Sequence, residues 1–416
     1  MSKHHIPQGW KKSRLADVCV KLKSGGTPSV SKTEYYDGDI PYVKIEDMTS
    51  NGEYLCTTKT TITQEGLDNS SAWLIPENSI LFSIYASVGE VAINKVKLAT
   101  NQAIMGIIPD TSKIRLMYLY AYLKKIKSSL SQFFKETTQK NLTAEIVRDL
   151  EIYYPESLEE QDKLAEILTT VDENIDETDK IIAECERIKK GMMQALLIKG
   201  IPGKHKKFKQ TEIGVIPEDW DLLPLHALLD TCQYGIAKPL TSEKKGFPCL
   251  RMGNLSEGEI LISDLKYIEL NQQELETYRL FDGDILFNRT NSNKLVGKVS
   301  IFRGKESMVF AGYLIRLKTN EKMDSKFLNL YMNSDLGQGI IRRLITPGVS
   351  QANINAKNLQ RILVPVPLID EQQKIADAIF SINTKMKFEK EKSSKLSVLK
   401  QSLMQNLLSG EMRVKV

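Results

Sequence analysis

Three polar segments in each half of the chain carry the side chains best suited to chemistry, and that chemistry is hydrogen bonding to planar polar edges and to anions. The first is Tyr42-Val43-Lys44-Ile45-Glu46-Asp47, matched by Leu250-Arg251-Met252-Gly253-Asn254. Alternation puts Lys44 and Arg251 on one face of an extended strand, where a cation suits phosphate or guanine. A surface ion pair with a neighbouring acid is an equally good reading. The second is Ser83-Ile84-Tyr85-Ala86-Ser87 against Asn288-Arg289-Thr290-Asn291-Ser292-Asn293-Lys294, from which Ser83, Tyr85, Asn288, Arg289, Asn291 and Lys294 stand as contact residues. The third is Thr137-Thr138-Gln139-Lys140-Asn141 against Pro347-Gly348-Val349-Ser350-Gln351-Ala352-Asn353. Asn141 or Asn353 falls near a helix N-cap, which leaves Gln139, Lys140 and Gln351 for contact.

Residues able to catalyse are sparse. Of the four histidines, His4 and His5 lie at the N-terminus and His205 in a lysine-rich linker; His226 stands alone. The five cysteines form no C-x-x-C pair, which argues against zinc and against a disulfide framework. No G-x-x-x-x-G-K-[ST] loop, dinucleotide fingerprint or N/D-P-P-Y/F tetrapeptide occurs. The nearest E-x-K triplet, Glu243-Lys244-Lys245, lies in a polar loop. The chain is therefore expected to be non-catalytic, with no cofactor or metal of its own. A formal charge of +5 permits nucleic-acid binding without requiring it. Neither a signal peptide nor a membrane span is written in the sequence, so cytoplasm is the expected location and no membrane partner is expected.

The elements that must position these segments come in two copies. Ile6-Pro7 and Trp10 recur as Ile216-Pro217 and Trp220, and Ile80-Leu81-Phe82 as Ile285-Leu286-Phe287. Asn141-Leu142-Thr143-Ala144 recurs as Asn353-Ile354-Asn355-Ala356, and Glu160-Gln161 as Glu371-Gln372. The offsets stay near 210 residues, the mark of domain duplication rather than of a solenoid. With 416 residues, 41% of them hydrophobic, there is apolar material for a core in each half. Short apolar runs such as Ile80–Ile84 and Ile104–Ile108 predict strands, and Arg115–Ile126 and Lys326–Met332 predict helices. The fold class is α+β, with globular domains over residues 1–156 and 211–368.

A different pattern follows each domain. Over residues 157–199, Leu164, Leu168, Val171, Ile175, Thr178, Ile182, Cys185, Lys189, Met192 and Leu196 step by four and three. Residues 369–410 repeat the pattern through Ile375, Ile379, Ile382, Met386, Glu389, Ser393, Leu396, Lys400, Leu403 and Leu407. This 3.5-residue period predicts two long helices packed as an antiparallel, coiled-coil-like pair. Ile188, Phe388 and Leu399 are expected to compensate for the polar interruptions. About 40 residues make a rod of about 60 Å, suited to act as a spacer. Leu164, Val171, Ile182, Ile375, Ile382 and Leu396 are the positions assigned to partner contact. The basic linker over 200–210 reads as a phosphate tracker or as a solubilising tether.

Two similar domains on a spacer suit a ligand that repeats at a fixed distance, as double-stranded DNA does. A coiled-coil scaffold is the alternative. The order of these pieces resembles the specificity subunit of type I restriction–modification enzymes. The likeness is carried by Ile6-Pro7-Xaa-Gly-Trp10, Ser24-Gly25-Gly26-Thr27-Pro28, Pro41-Tyr42-Val43-Lys44, Gln139-Lys140-Asn141-Leu142, Glu160-Gln161 and Leu403-Met404-Gln405-Asn406-Leu407-Leu408-Ser409-Gly410. The resemblance implies two target-recognition domains that read a bipartite asymmetric DNA site. It implies two methyltransferase subunits and motor–nuclease restriction subunits as partners, with S-adenosylmethionine, ATP and magnesium bound on those partners alone. A complex that only methylates is equally compatible. Tyr234-Gly235-Ile236-Ala237-Lys238-Pro239 replaces the Ser-Gly-Gly-Thr-Pro turn in the second half, so a different half-site is expected there.

Overall fold

The structure is a computed structural model that describes residues 6–50, 52–85, 87–127, 142–292, 295–346 and 352–415. The chain divides into two compact units, Met1–Asp179 with Glu391–Val416, and Lys180–Lys390.

The first unit contains β1 (Trp10–Arg14), β2 (Cys19–Ser24), β3 (Tyr36–Val43), β4 (Tyr54–Leu55), β5 (Thr60–Ile62), β6 (Ile80–Ser83), β7 (Val91–Asn94), β8 (Ala99–Thr100), β9 (Ile104–Pro109) and β10 (Glu151–Pro155). Its helices are α1 (Ile45–Ser50), α2 (Gln64–Asp68), α3 (Leu116–Ile126), α4 (Ala144–Arg148) and the first part of α5 (Leu158–Lys199). A five-stranded sheet runs β2-β9-β6-β7-β4, a three-stranded sheet runs β5-β3-β8, and β1 pairs with β10. Period-two alternation sorts each buried run onto two faces. Ile80 and Phe82 join Tyr118, Leu119 and Leu164 in one core. Leu81 joins Val43, Ala92 and Leu98 in another.

The second unit repeats this wiring. Its strands are β11 (Phe208–Thr211), β12 (Gly214–Pro217), β13 (Asp221–Pro224), β14 (Leu229–Tyr234), β15 (Phe247–Leu250), β16 (Leu255–Ser256), β17 (Gly258–Ile260), β18 (Lys266–Ile268), β19 (Ile285–Asn288), β20 (Thr290–Asn291), β21 (Val299–Ile301), β22 (Val309–Phe310), β23 (Leu314–Thr319), β24 (Ala352–Asn353) and β25 (Leu363–Val366). Helices α6 (Gln272–Tyr278), α7 (Ser325–Asn333), α8 (Asp335–Arg343), α9 (Ala356–Leu359) and α10 (Ile369–Leu407) follow. The sheet order β14-β23-β19-β21-β17-β16 matches the first unit strand for strand and adds only β16. The sheet β18-β15-β22 matches β5-β3-β8, and the parallel pairs β3·β8 and β15·β22 agree in direction. Among the described residues, antiparallel β11·β12 and β20·β24 have no counterpart in the first unit.

The duplication is sharpest at two buried glutamines. Gln161 is fully buried; its Oε1 accepts from the Arg115 N–H at 2.7 Å, and its Nε2 donates to the carbonyls of Lys113 (3.0 Å) and Pro155 (2.8 Å). In the second unit, Gln372 accepts from the Asp324 N–H at 2.8 Å and donates to Lys322 (2.9 Å) and Pro367 (2.8 Å). One side-chain amide thus joins the end of the last strand, the entry to α3 or α7, and the start of a long helix.

The preceding glutamates are also buried but are held differently. Glu160 takes a bidentate pair from Arg413 at 2.6 and 2.8 Å. Glu371 accepts from Lys204 (2.7 Å), His205 (2.8 Å), the Ile201 N–H (3.2 Å) and the Trp220 indole (3.4 Å). His205 therefore belongs to the core of the second unit, its other ring nitrogen 2.9 Å from Asp219. Lys209 donates to the Trp220 carbonyl. This stretch is thus packed and hydrogen-bonded, in contrast to the tether expectation, because it supplies the counter-charge of a buried carboxylate.

The boundary between the units falls inside both long helices. Within the first unit, Lys400 pairs with Asp172 and Ser393 Oγ donates to Asp179 at 2.9 Å, so α5 and α10 run antiparallel there. The heptad positions are those that lose solvent: Leu164, Leu168, Thr178 and Cys185 are buried in α5, as are Ile375, Ile379, Met386 and Glu389 in α10. The expected compensation does not occur. Ile188, Phe388 and Leu399 are exposed, while Lys400 and Ser393 stay in the seam and bond across it. Among the described residues, no helix is long and apolar enough to cross a membrane.

Two outcomes follow. Gln372→Leu keeps the volume but strands one donor and two acceptors, at about 1–3 kcal/mol per buried group. It lowers the thermal midpoint by several degrees, whereas the exposed Gln273→Leu leaves it in place. Glu371 is pushed up by burial, but the bonds from Lys204, His205 and the Ile201 N–H outweigh that and hold its carboxyl below the usual value. Its contribution is complete above the ordinary glutamate range and is lost as pH falls through the lowered folded value. Glu371→Gln therefore weakens the fold at neutral pH and flattens the acid limb of the urea midpoint plotted against pH.

Candidate nucleic-acid interface

Each candidate loop leaves a strand of the shared frame, so the frame decides which side chains can face outward. Lys44 and Arg251 sit just past the ends of β3 and β15 rather than within a strand. The Lys44 N–H donates to Asp47 Oδ2 and the Arg251 N–H to Asn254 Oδ1, both at 2.8 Å. Buried Asp47 and Asn254 thus turn the chain at equivalent places. The strand-face expectation fails because this side-chain acceptor ends the extension. Arg251 also donates to the Asp264 carboxylate at 2.8 Å and to its carbonyl at 2.9 Å. The ion-pair reading describes it, while Lys44 stays half-buried.

Ser83 and Asn288, at the ends of β6 and β19, are fully buried. Ser83 Oγ donates to the Ser87 carbonyl (2.5 Å) and accepts from the Glu90 N–H (2.8 Å); Asn288 Nδ2 donates to the Leu295 carbonyl (3.1 Å). They hold the loops from inside, a correction to their assignment as contacts. Tyr85 keeps 37% of its surface exposed. One residue beyond the strand, the Ile84 carbonyl accepts from the Leu142 N–H (2.9 Å) and the Arg289 carbonyl from the Ile354 N–H (2.8 Å). Ile84 and Arg289 therefore occupy one place in the two frames. Thr290 is buried and bonds Asn353 Oδ1, while Arg289, just before β20, and Asn291 within it are half-buried.

Gln139, Lys140, Asn141, Lys294 and Gln351 lie outside the described residues. The N-caps here are Thr143 for α4 and Asn355 for α9, each accepting from the N–H three residues on. Asn353 is instead a strand residue of β24. Of the positions assigned to partners, Leu164 and Ile375 are enclosed in their own units' cores and offer no surface, because they pack where the helices meet the domains. Val171, Ile182, Ile382 and Leu396 are half-buried in the seam.

Sequence reading missed one neighbour of Arg289. The Arg289 guanidinium lies 4.8 Å from the centre of the Tyr234 ring, and that phenol accepts from the Ala356 N–H at 3.1 Å. Tyr234 occupies the position of Ser24, since Gly25 and Gly235 follow them and donate alike to the carbonyls of Ile104 (3.0 Å) and Leu314 (3.1 Å). A Cβ on either glycine would strike backbone, on Thr100 in one unit and Ala311 in the other. The second half thus keeps the glycine contact although the surrounding turn sequence departs. Burial pushes the thiols of Cys19 and Cys249 up to about 12 and that of Cys232 to about 11, leaving them protonated at neutral pH. What the loops offer is recognition.

Relatives match the chain over most of its length. The MjaVIII type I restriction enzyme specificity subunit of Methanocaldococcus jannaschii is 27% identical over 99% of this chain and 94% of its own length. The EcoKI specificity subunit of Escherichia coli K12 is 21% identical over 90% of this chain and 82% of its own. Among solved structures, the type I restriction–modification S subunit from M. genitalium superposes with a TM-score of 0.60 at 16% identity, covering 98% of this chain and 97% of that one. A chain from a study of complex assembly and conformational transition of the type I R-M system gives 0.56 at 16% identity, over 98% of this chain and all of the other. These last two likenesses establish the fold. Residues 7–187 and 217–398 each match the type I restriction modification DNA specificity domain, and the chain belongs to that family.

Proposed function

We propose that this chain is the DNA-reading subunit of a type I restriction–modification assembly, with each unit reading one part of a split, asymmetric target in double-stranded DNA. The observation that carries the reading is a shared frame with divergent exits. The buried glutamine clamp and the glycine contact are the same in both units, while the loop position after β6 or β19 is Ile84 in one and Arg289 in the other. A shared frame that carries a buried isoleucine in one unit and a half-buried arginine in the other suits two different half-sites. Family membership supports the same conclusion. Methyltransferase subunits dock on this chain and carry the S-adenosylmethionine; restriction subunits carry the ATP-driven step. The complex works in the cytoplasm.

Arg289 and Asn291 flank the buried Thr290, and along extended backbone they are spaced by roughly 7 Å or about two base steps. Arg suits guanine and Asn suits adenine, each good bidentate contact discriminating by about 1–3 kcal/mol. Alanine at both positions relaxes the preference in one half-site and leaves the other intact. Selection of bound duplexes from a randomised pool, using the chain assembled with its methyltransferase partner, reads this directly. An equal loss on all sequences would instead make the loop a phosphate clamp.

The heptad helices set the distance between the half-sites. Deleting one heptad from each of α5 and α10 changes the preferred number of spacer base pairs in the same selection; an unchanged spacing removes the ruler. Mapping of adenine methylation across a genome, with and without the chain, tests the assignment as a whole.

A further inference from the structure

Tyr234 and Arg289, which meet in the second unit, both differ from the residues at the equivalent places in the first. The first unit has Ser24 and Ile84, the latter buried; the second has Tyr234 and Arg289. Both pairs hang on the same backbone bonds, through Gly25 and Gly235 on one side and through Leu142 and Ile354 on the other. Where the first unit has a serine and an aliphatic residue, the second has an aromatic ring beneath a guanidinium.

Tyr234 and Arg289 are built in rather than draped on the surface. The Arg289 N–H donates to the Tyr313 carbonyl at 3.1 Å, and its own carbonyl accepts from Ile354, so its backbone is fixed at both ends. The Tyr234 hydroxyl accepts from the Ala356 N–H at 3.1 Å, which marks where the ring's tip lies. Arg289 Nε is shielded from solvent and has no hydrogen-bond partner among the described residues. The ring keeps 44% of its surface exposed, so the stack sits at the molecular surface. A guanidinium laid on an aromatic face loses little further freedom when its planar fork meets a flat acceptor pair.

We infer that Tyr234 and Arg289 form one guanine-reading unit in the second half. Arg289 donates to the O6 and N7 edge, and Tyr234 is the positioning residue that fixes the fork. This rests on the proposed DNA-reading function and adds the base class and a residue to it. Lysine is a poorer donor than Arg289 here, because its flexible ammonium reaches the same edge but has no planar fork for the ring to hold. Phenylalanine can replace Tyr234, because the ring face and not the hydroxyl supports the guanidinium.

The test is base selection from randomised duplexes by the chain in complex with its methyltransferase subunit. Arg289→Lys and Tyr234→Leu are each expected to lower discrimination by about 10- to 100-fold at the same single G·C pair. The double variant loses no more than either alone, and Tyr234→Phe keeps the preference to within about threefold. Unchanged preferences in the first half-site show that the variants are folded. An equal loss on all sequences with Tyr234→Leu, a loss at a different base pair, or a loss with Tyr234→Phe as large as with leucine overturns the inference. If the unaltered complex selects no split target, it is the DNA-reading function that fails.

Discussion

The structure depends on a carboxamide that must satisfy three backbone groups at once. Gln161 and Gln372 each accept one N–H and donate to two carbonyls where a strand, a domain helix and a long helix meet. A carboxylate could accept but not donate, and a leucine could do neither. No ordinary apolar contact would fix the direction in which the long helix leaves its domain, since apolar packing tolerates small rotations and buried hydrogen bonds do not. Whatever α5 and α10 do for binding, they start from these two amides.

The neighbouring buried glutamates show how the duplicated frame allows change. Glu160 and Glu371 hold equivalent places, yet one is neutralised by an arginine after α10 and the other by a lysine after α5, with His205 hydrogen-bonded beside it. The requirement is a counter-charge for a carboxylate out of water; the identity of the cation is free within that. The same logic separates frame from loop elsewhere. Gly25 and Gly235 cannot change, because a Cβ would meet backbone, whereas the residue before each has gone from serine to tyrosine.

Much of the frame was legible in the sequence because it is written as periodicity and repetition. The heptad positions lost solvent as expected, even where they hold Thr178, Lys400 or Ser393, since helix geometry rather than hydrophobicity assigns the seam. The error was to expect Phe388 and Leu399 to rotate inward; a polar residue with a partner such as Asp172 or Asp179 costs less than a helix distorted to bury its neighbour. Site residues were harder to read. Ser83 and Asn288 looked like contacts because they are polar and follow a strand, but a tight loop needs such side chains for its own backbone. Tyr234 was invisible as a partner of Arg289 because their 55-residue separation is closed only by the pairing of β14 and β19 on either side of β23.

The modest charge of the chain acquires a meaning from this distribution of contacts. Lys204, Arg413, Lys400 and Arg251 all serve carboxylates of their own unit, and Arg316 donates to the Arg279 carbonyl and to Gln233. A formal +5 therefore says little about which cations are available to DNA. Contacts to phosphate raise affinity on any sequence and depend steeply on salt. Selectivity has to come from a few fixed donors on a rigid frame, because phosphate contacts carry no sequence information. In the proposed reading, the Arg289 guanidinium, 4.8 Å from the centre of the Tyr234 ring just past the end of β19, is a donor of that kind.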